Sequence, residues 1–364
     1  MNQNQNETHD YKPLFSIGVT TYNRKNLLKQ TLSSLLEQTF TDFEVIVGND
    51  FPDEVLSAEN LGIKDSRIKF INHKQNIGEL ENMNSLLSLA HGRYFTWQFD
   101  DDPVAPNFLR DVYSALTKFD FPLCVFTSYL LIYGVSTHKF RNNCNVQIQL
   151  FSGKDFLRTY LSGRLKTMGC CGFYNRDYLK SIGGVQRLTD GPMALYTENL
   201  LLIRVGLLPE VAYIDAPLVS SRVHKNSWTC SNNDVELFKQ AGKNLIRESI
   251  TILSKAELRD DFQENISSLL KFILSSVVVK SVMRNKRINN QEIQEYLSFI
   301  EKEFEPLRGS PQYQCAVSGL DIAYKKIPRY ILKTKIKMLT PPGCLKFAHM
   351  ARSIFLRYAN KVFD

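Results

Sequence analysis

The chain has 364 residues, enough for about two domains and a sizeable core without disulfide or metal staples. At 43% hydrophobic and 23% charged residues its composition is globular, which excludes global disorder. Its net charge of +8 invites an anionic partner, but ten Lys or Arg and one acid lie between Ile322 and Asp364, a surplus of nine that leaves the preceding residues at −1 and excludes a basic nucleic-acid-binding core.

Residues 1–12 are polar and acidic and read as a disordered lead-in with no secretory apolar stretch. From Leu14 strand and helix patterns alternate. Leu14–Thr20 is an apolar run rich in strand formers, and Arg24–Gln38 carries Leu27, Leu28, Leu32, Leu35 and Leu36 at helical spacing. Phe43–Gly48 and Arg67–Asn72 read as strands, Leu80–Ala90 as a helix and Tyr94–Phe99 as a fourth strand. This alternation predicts an α/β fold with a mostly parallel, Rossmann-like sheet flanked by helices. Beyond Asp102 the pattern loosens. Leu123–Tyr133 supplies one or two strands, and Leu123–Val135 is too short and too hydroxylated to span a bilayer. Gly153–Leu161 is helical, Cys170–Tyr174 a short strand, and Asp177–Ile182 a helix stopped by Gly183-Gly184. Tyr196–Val205 is a helix and Val211–Ile214 a short strand. From about residue 234 only helices are predicted, over Val235–Leu253, Asn265–Val279, Gln291–Glu303 and Ala348–Val362. The expected division is 1–12, 13–230 and a helical region over 231–364. Seven cysteines without repeated CxxC spacing read as reduced thiols, with adjacent Cys170 and Cys171 as packing.

In parallel sheets ligands bind beyond the carboxyl ends of the strands. Three polar clusters fall there: Thr20-Thr21-Tyr22-Asn23-Arg24, Asn49-Asp50 and Asp100-Asp101-Asp102. Adjacent carboxylates repel one another, so the triplet at a strand end asks for a reason. Alternation along an extended chain sets Asp100 and Asp102 on one side and Asp101 on the other. Two convergent carboxylates suit Mg2+ or Mn2+, with open positions for phosphate oxygens; a solvated acidic turn is the plainer alternative. Asp50 can accept from a base N–H or ribose hydroxyls, or can simply form a turn.

These clusters carry a resemblance. The first 225 residues resemble the family 2 glycosyltransferases with a GT-A fold. Thr20 to Arg24 looks like the family's first-strand motif, and Phe43 to Asp50 like its second strand, whose last Asp contacts the base. Asn76-Ile77-Gly78 followed by Asn84 is similar to its Asn-x-Gly…Asn pattern, and His91 through Asp102 to the strand that enters the DxD motif. The resemblance implies transfer of a sugar from a nucleoside diphosphate sugar, most often a UDP-sugar, to an acceptor hydroxyl with inversion. It implies donor binding by Thr20, Tyr22, Asn23, Arg24, Asp50, Asn76, Gly78, Asn84, Asp100 and Asp101. It implies a Mn2+ or Mg2+ ion on Asp102 and Asp100, with His224 completing the metal site. Where the family often carries Thr-Glu-Asp with the Asp as base, this chain has Thr197-Glu198-Asn199. An amide cannot take a proton, so Glu198 is the candidate base and Asp190 the reserve. A first-turn helix acid is the plainer role for Glu198. Met83 stands where the family often has a basic residue, Trp228 is a candidate for stacking on an acceptor sugar, and the small residues around Gly169 would let a sugar approach the backbone.

The surplus charge defines a second feature. Leu345–Phe363 sets Leu345, Phe347, Ala351, Ile354, Phe355 and Tyr358 near one face among Lys346, Arg352, Arg357 and Lys361. Residues 323–364 therefore read as an interfacial basic stretch for an anionic membrane surface. That suits a cytoplasmic protein, peripheral at the inner face of the plasma membrane, with a saccharide or lipid-linked acceptor in cell-surface polysaccharide synthesis. The competing readings are a nucleotidyltransferase, which lacks a Gly-rich phosphate loop, and a non-catalytic nucleotide-sugar or polysaccharide-binding protein, which Asn199 favours.

Overall fold

Apolar runs between polar turns fold as strands, and the leucine-rich stretches as helices, in a computed structural model that describes residues 12–134, 140, 146–224, 234–283, 298 and 302. β1 (Phe15–Thr21) leads to α1 (Lys25–Leu36), β2 (Phe43–Asn49) to the short α2 (Ala58–Leu61), and β3 (Ile68–Asn72) to α3 (Glu79–Leu89). β4 (Tyr94–Phe99) follows, then α4 (Phe108–Lys118). Crossover helices leave β3, β2, β1 and β4 side by side in parallel. The chain continues through β5 (Cys124–Tyr133), β6 (Ile148–Phe151) and α5 (Gly153–Leu161). A 3-10 turn at Gly169–Cys171 opens into β7 (Gly172–Asn175), followed by α6 (Arg176–Ser181), α7 (Thr197–Val205) and β8 (Val211–Val223). The sheet order is β3-β2-β1-β4-β7-β5-β8-β6, with β7 antiparallel to β4 and β5 and β6 antiparallel to β8. The predicted mostly parallel sheet flanked by helices is what forms.

Each face of the sheet buries its own core. Alternation sends Phe15, Ile17 and Val19 of β1 against Leu28, Leu32 and Leu35 of α1 and Phe108, Val112 and Leu116 of α4. The other face packs Ile46, Phe95 and Trp97 against Leu80, Met83 and Leu86 of α3 and Leu201, Leu202 and Val205 of α7. Each such buried side chain contributes about 1.5–3 kcal/mol of transfer free energy. Met83 is therefore a core residue, and so are Cys170 and Cys171, all fully buried.

Two local departures from the sequence reading matter for the site. α4 was not anticipated; its buried stripe follows directly on the loop after the acidic triplet and anchors it. β8 extends nine residues past the expected Ile214. Exposed Asp215 and Pro217 interrupt its apolar run, and the register against β5 shifts at Thr127–Ser128, an irregularity that admits the proline. That extension carries Arg222 and His224 to the carboxyl edge of the sheet.

Met1–His224 with Lys255–Leu258 make one compact unit, and Lys225–Ser254 with Arg259–Asp364 a second. In the second, α8 (Val235–Leu253), capped by Asp234 on the amides of Glu236 and Leu237, packs on α9 (Phe262–Met283). Trp228, residues 323–364 and nearly all of 291–303 lie outside the described residues. Among the described residues no helix is long and apolar enough to cross a membrane.

Candidate active site

Strand order reverses between β1 and β4, and the polar clusters meet at that switch point. The triplet does not continue the strand. β4 ends at Phe99, the Asp102 amide turns back to the Phe99 carbonyl at 3.2 Å, and Asp100 and Asp101 form the turn. Alternation therefore fails, and with it the expected pairing of Asp100 with Asp102. Asp100 is instead clamped by Arg24, whose Nη2 and Nε reach its two carboxylate oxygens at 2.8 and 3.1 Å. The Thr21 hydroxyl donates to it at 2.6 Å. Arg24 also reaches Asp101 Oδ2 at 3.0 Å, and the same oxygen lies 3.0 Å from His224 Nε2. Asp102 Oδ1 accepts the Arg222 backbone N–H at 2.7 Å. These two meetings arise because Pro103–Ala105 runs along β8, with Ser220 N–H donating to the Pro103 carbonyl and Ala105 N–H to that of Leu218.

The acidic turn is buried, Asp100 completely. Burial pushes the Asp100 and Asp102 carboxyls up, against the pull of Arg24 on the first and of the Arg222 amide on the second. A cation bound beside the turn would offset that cost. Among the described residues no three His, Cys, Asp or Glu side chains are arranged as a metal site. Of the expected set of Asp102, Asp100 and His224, Asp100 is held by Arg24 and Thr21. What stands together is Asp101 with His224, and Asp102 next in the chain. Carboxylate and imidazole donors suit Mn2+, and one or two protein carboxylates with phosphate oxygens are the usual Mg2+ complement, so the residues fit a divalent ion in this narrower form.

On the neighbouring edge Asp50 is buried and accepts from the Ile77 and Gly78 amides at 2.7 and 2.9 Å. It thereby shapes the Asn76-Ile77-Gly78 turn, and the exposed Asn76 supports it by accepting from Gly78 N–H at 2.9 Å. Gly78 is required twice: its φ is +87°, and a Cβ there would lie 2.7 Å from the Pro192 carbonyl oxygen. Tyr22 is 47% exposed and sits edge-on to Phe51 with ring centroids 5.3 Å apart. Thr20 is buried at the end of β1, and Asn23 adopts φ +50° in the turn before Arg24. Asn84 does not reach this pocket through its amide, which is paired with the Val185 backbone at 2.9 and 3.1 Å and pins the loop after α6.

Glu198 lies in the first turn of α7. Its side chain packs on Gly169 so closely that a Cβ there would stand 2.5 Å from Glu198 Cβ, so the small residue serves Glu198 rather than a sugar. Glu198 Oε1 is out of solvent and has no hydrogen-bond partner. Burial pushes the carboxyl up to about 7, and Glu79 adds to the rise while Cys170 opposes it. Asn199 turns away, donating to the Tyr160 hydroxyl at 2.9 Å. Asp190, the reserve base, is exposed on the loop before α7. Sequence reading missed Glu79 and Arg222, and took Thr21 only as part of the Thr20–Arg24 cluster. Glu79 opens α3, accepts the Ala194 amide at 3.1 Å, and interacts electrostatically with Arg24, Asp101 and Glu198. Its only signal was an acid directly after Asn76-Ile77-Gly78.

Strand-end clusters at the switch point set the candidate site where α/β sheets bind their ligands. Residues 16–183 match the profile of glycosyl transferase family 2. An uncharacterized glycosyltransferase of Haemophilus influenzae is 32% identical over 110 residues, 30% of this chain and 34% of that one. This chain thus spans about a third of that relative. An uncharacterized glycosyltransferase of Rickettsia prowazekii is 24% identical over 334 residues, 89% of this chain and 98% of the relative. Among solved structures, S. aureus TarS in complex with UDP-GlcNAc aligns with TM-score 0.49 at 13% identity, over 81% of this chain and 92% of that one.

Proposed function

We propose that this chain is an inverting glycosyltransferase that moves a sugar from a nucleoside diphosphate sugar to a hydroxyl of a saccharide or lipid-linked saccharide. The observation that carries the reading is Glu198: a carboxylate with a buried, unpartnered oxygen, raised to about 7 by burial and by Glu79, which also interacts with Arg24 and Asp101. A base poised near neutral pH can take the acceptor proton as the bond to the leaving diphosphate breaks. Arg24 offers guanidinium donors to that diphosphate and shares them with Asp100 and Asp101. Asp101, Asp102 and His224 are the residues to hold Mn2+ or Mg2+, which when bound supplies positive charge against the leaving group. Asp50, with the exposed Tyr22 and Phe51 beside it, forms the place for the base and ribose, and a UDP-sugar is the donor we favour. A setting in cell-surface polysaccharide synthesis, at the cytoplasmic face of the membrane, rests on the family resemblance and on the composition of residues 323–364.

The first test is a thermal-shift screen of UDP-, GDP-, CMP- and dTDP-sugars with Mn2+, followed by nucleotide release from the best donor. One donor class should stabilise the protein and be turned over. Stabilisation without turnover under any acceptor would favour a binding protein instead. Asn199→Asp should be tolerated, because the Tyr160 hydroxyl can donate to the new carboxylate.

A further inference from the structure

Helix α7 does not hold Glu198 in place unaided. The backbone enters it through Tyr196, whose φ of +57° is an unfavourable left-handed conformation for a tyrosine and needs support from outside the helix. That support comes from the start of α3. Ala194, two residues before Tyr196, is held at both its backbone groups: its N–H donates to Glu79 Oε2 at 3.1 Å, and its carbonyl accepts the Thr197 hydroxyl at 3.0 Å. Two residues earlier the Pro192 carbonyl accepts the Leu80 amide at 3.5 Å and rests against the bare Gly78. Further along α3, Glu81 pairs with Arg187 at 2.7 Å and Asn84 with Val185. The Glu79–Ala194 bond is part-buried and ties the start of α3 to the turn that enters α7.

We propose that Glu79 is the positioning residue for Glu198, fixing the turn that enters α7 through its hydrogen bond to the Ala194 amide. The inference rests on Glu198 being the base. It also ties the two halves of the site together: Asp50 holds the amides of Ile77 and Gly78, Glu79 follows them directly, and Glu79 holds the segment that carries Glu198. Burial pushes the Glu79 carboxyl up, and the side chain interacts electrostatically with Arg24, Asp101 and Glu198.

The test uses the full chain in four forms: native, Glu79→Ala, Glu79→Gln and Glu198→Gln. Amide exchange across residues 190–200 is read by mass spectrometry. Nucleotide release is read with UDP-glucose, UDP-N-acetylglucosamine and GDP-mannose, each with Mn2+. Glu79→Ala should exchange faster over 194–199 and lose about 10- to 100-fold in kcat, the cost expected of a misplaced reacting group. Its donor KM and melting temperature should stay near native values. Glu79→Gln keeps an acceptor oxygen for Ala194 and should restore both exchange and kcat to within about threefold of native, a hydrogen-bond effect rather than a charge effect. Native exchange in Glu79→Ala, or a failure of Glu79→Gln to restore it, overturns the inference whatever the donor. If Glu79→Ala does not fold, Glu79→Asp, one methylene too short to reach Ala194, takes its place with the same expectations. Glu198→Gln separates the two claims. Inactive Glu198→Gln beside fully active Glu79→Ala overturns the positioning role alone, whereas active Glu198→Gln overturns the base and the positioning role with it.

Discussion

Glu198 sits at a cost to the protein. Its folded pKa of about 7 lies above the ordinary glutamate value near 4.3, so the folded state binds the proton more tightly than the unfolded one. Stability from this group is therefore complete below about pH 4 and is lost as pH rises through about 7, where the buried carboxylate must ionise. Turnover by the proposed base runs the other way, since it accepts a proton only when ionised. The rate should climb with pH through about 7 and level off above it. Glu198→Gln should then melt higher than the native protein at pH 8 and match it at pH 4, while losing about 10²–10⁴-fold in turnover. Equal melting temperatures at both pH values would show that Glu198 is not strained by its surroundings. Arg24 offers a second residue-level test. It joins Asp100 and Asp101, so Arg24→Ala leaves two buried acids without their cation and should weaken both the fold and donor binding, read as melting temperature and as nucleotide-sugar Kd.

The elements explain why the site is held where it is. At the edge of the sheet where β1 and β2 begin, Glu44 accepts the Ser16 hydroxyl at 2.7 Å and the His91 amide at 2.8 Å, and pairs with Lys69 at 3.1 Å. These bonds join β1, β2, β3 and the turn before β4, and they hold the Glu44 carboxyl below its ordinary range despite its burial. A depressed folded pKa means stability that is present above about pH 4.5 and lost as pH falls further. Glu44→Ala should cost about 1–3 kcal/mol at pH 7, since it leaves buried donors unpaired, and little at pH 3. Denaturant titrations at the two pH values read this directly. On the ligand side, Gly78→Ala should lose about 1–3 kcal/mol and weaken donor binding, because the new methyl meets Pro192 and the backbone is left-handed. Position along the strands thus separates the roles: residues where strands begin secure the sheet, and residues beyond their carboxyl ends build the pocket.

For the whole molecule, charge divides the chain. Residues before Ile322 sum to −1, and Arg24 pairs with the acidic turn. The nine-charge surplus of residues 322–364 is left for another anion. Phosphatidylglycerol-containing liposomes should float the full chain at low salt and release it at high salt, and should float a form lacking residues 323–364 far less. Equal flotation of both forms would remove the membrane from the account.

Much of the fold was legible in the residues. Period-two runs and leucine stripes report the local backbone, so β1 to β4, α1 and α3 fall close to where their patterns place them, and the chain after each strand is where the polar clusters converge. The long-range pairings were not legible. Asp101 meets His224 across 123 residues and Asp102 meets Arg222 across 120, and both depend on the register of β8 past a proline that obscures the strand. Whether three consecutive aspartates alternate or turn depends on a single backbone bond to Phe99, which no side-chain pattern encodes. Glu79 illustrates the same limit: its type and its place after Gly78 are in the sequence, but its partner Ala194 lies 115 residues away and is selected by packing. Local conformation follows from neighbours along the chain; which acid is clamped, which faces a histidine and which stays poised to take a proton follow from contacts that exist only once the sheet has closed.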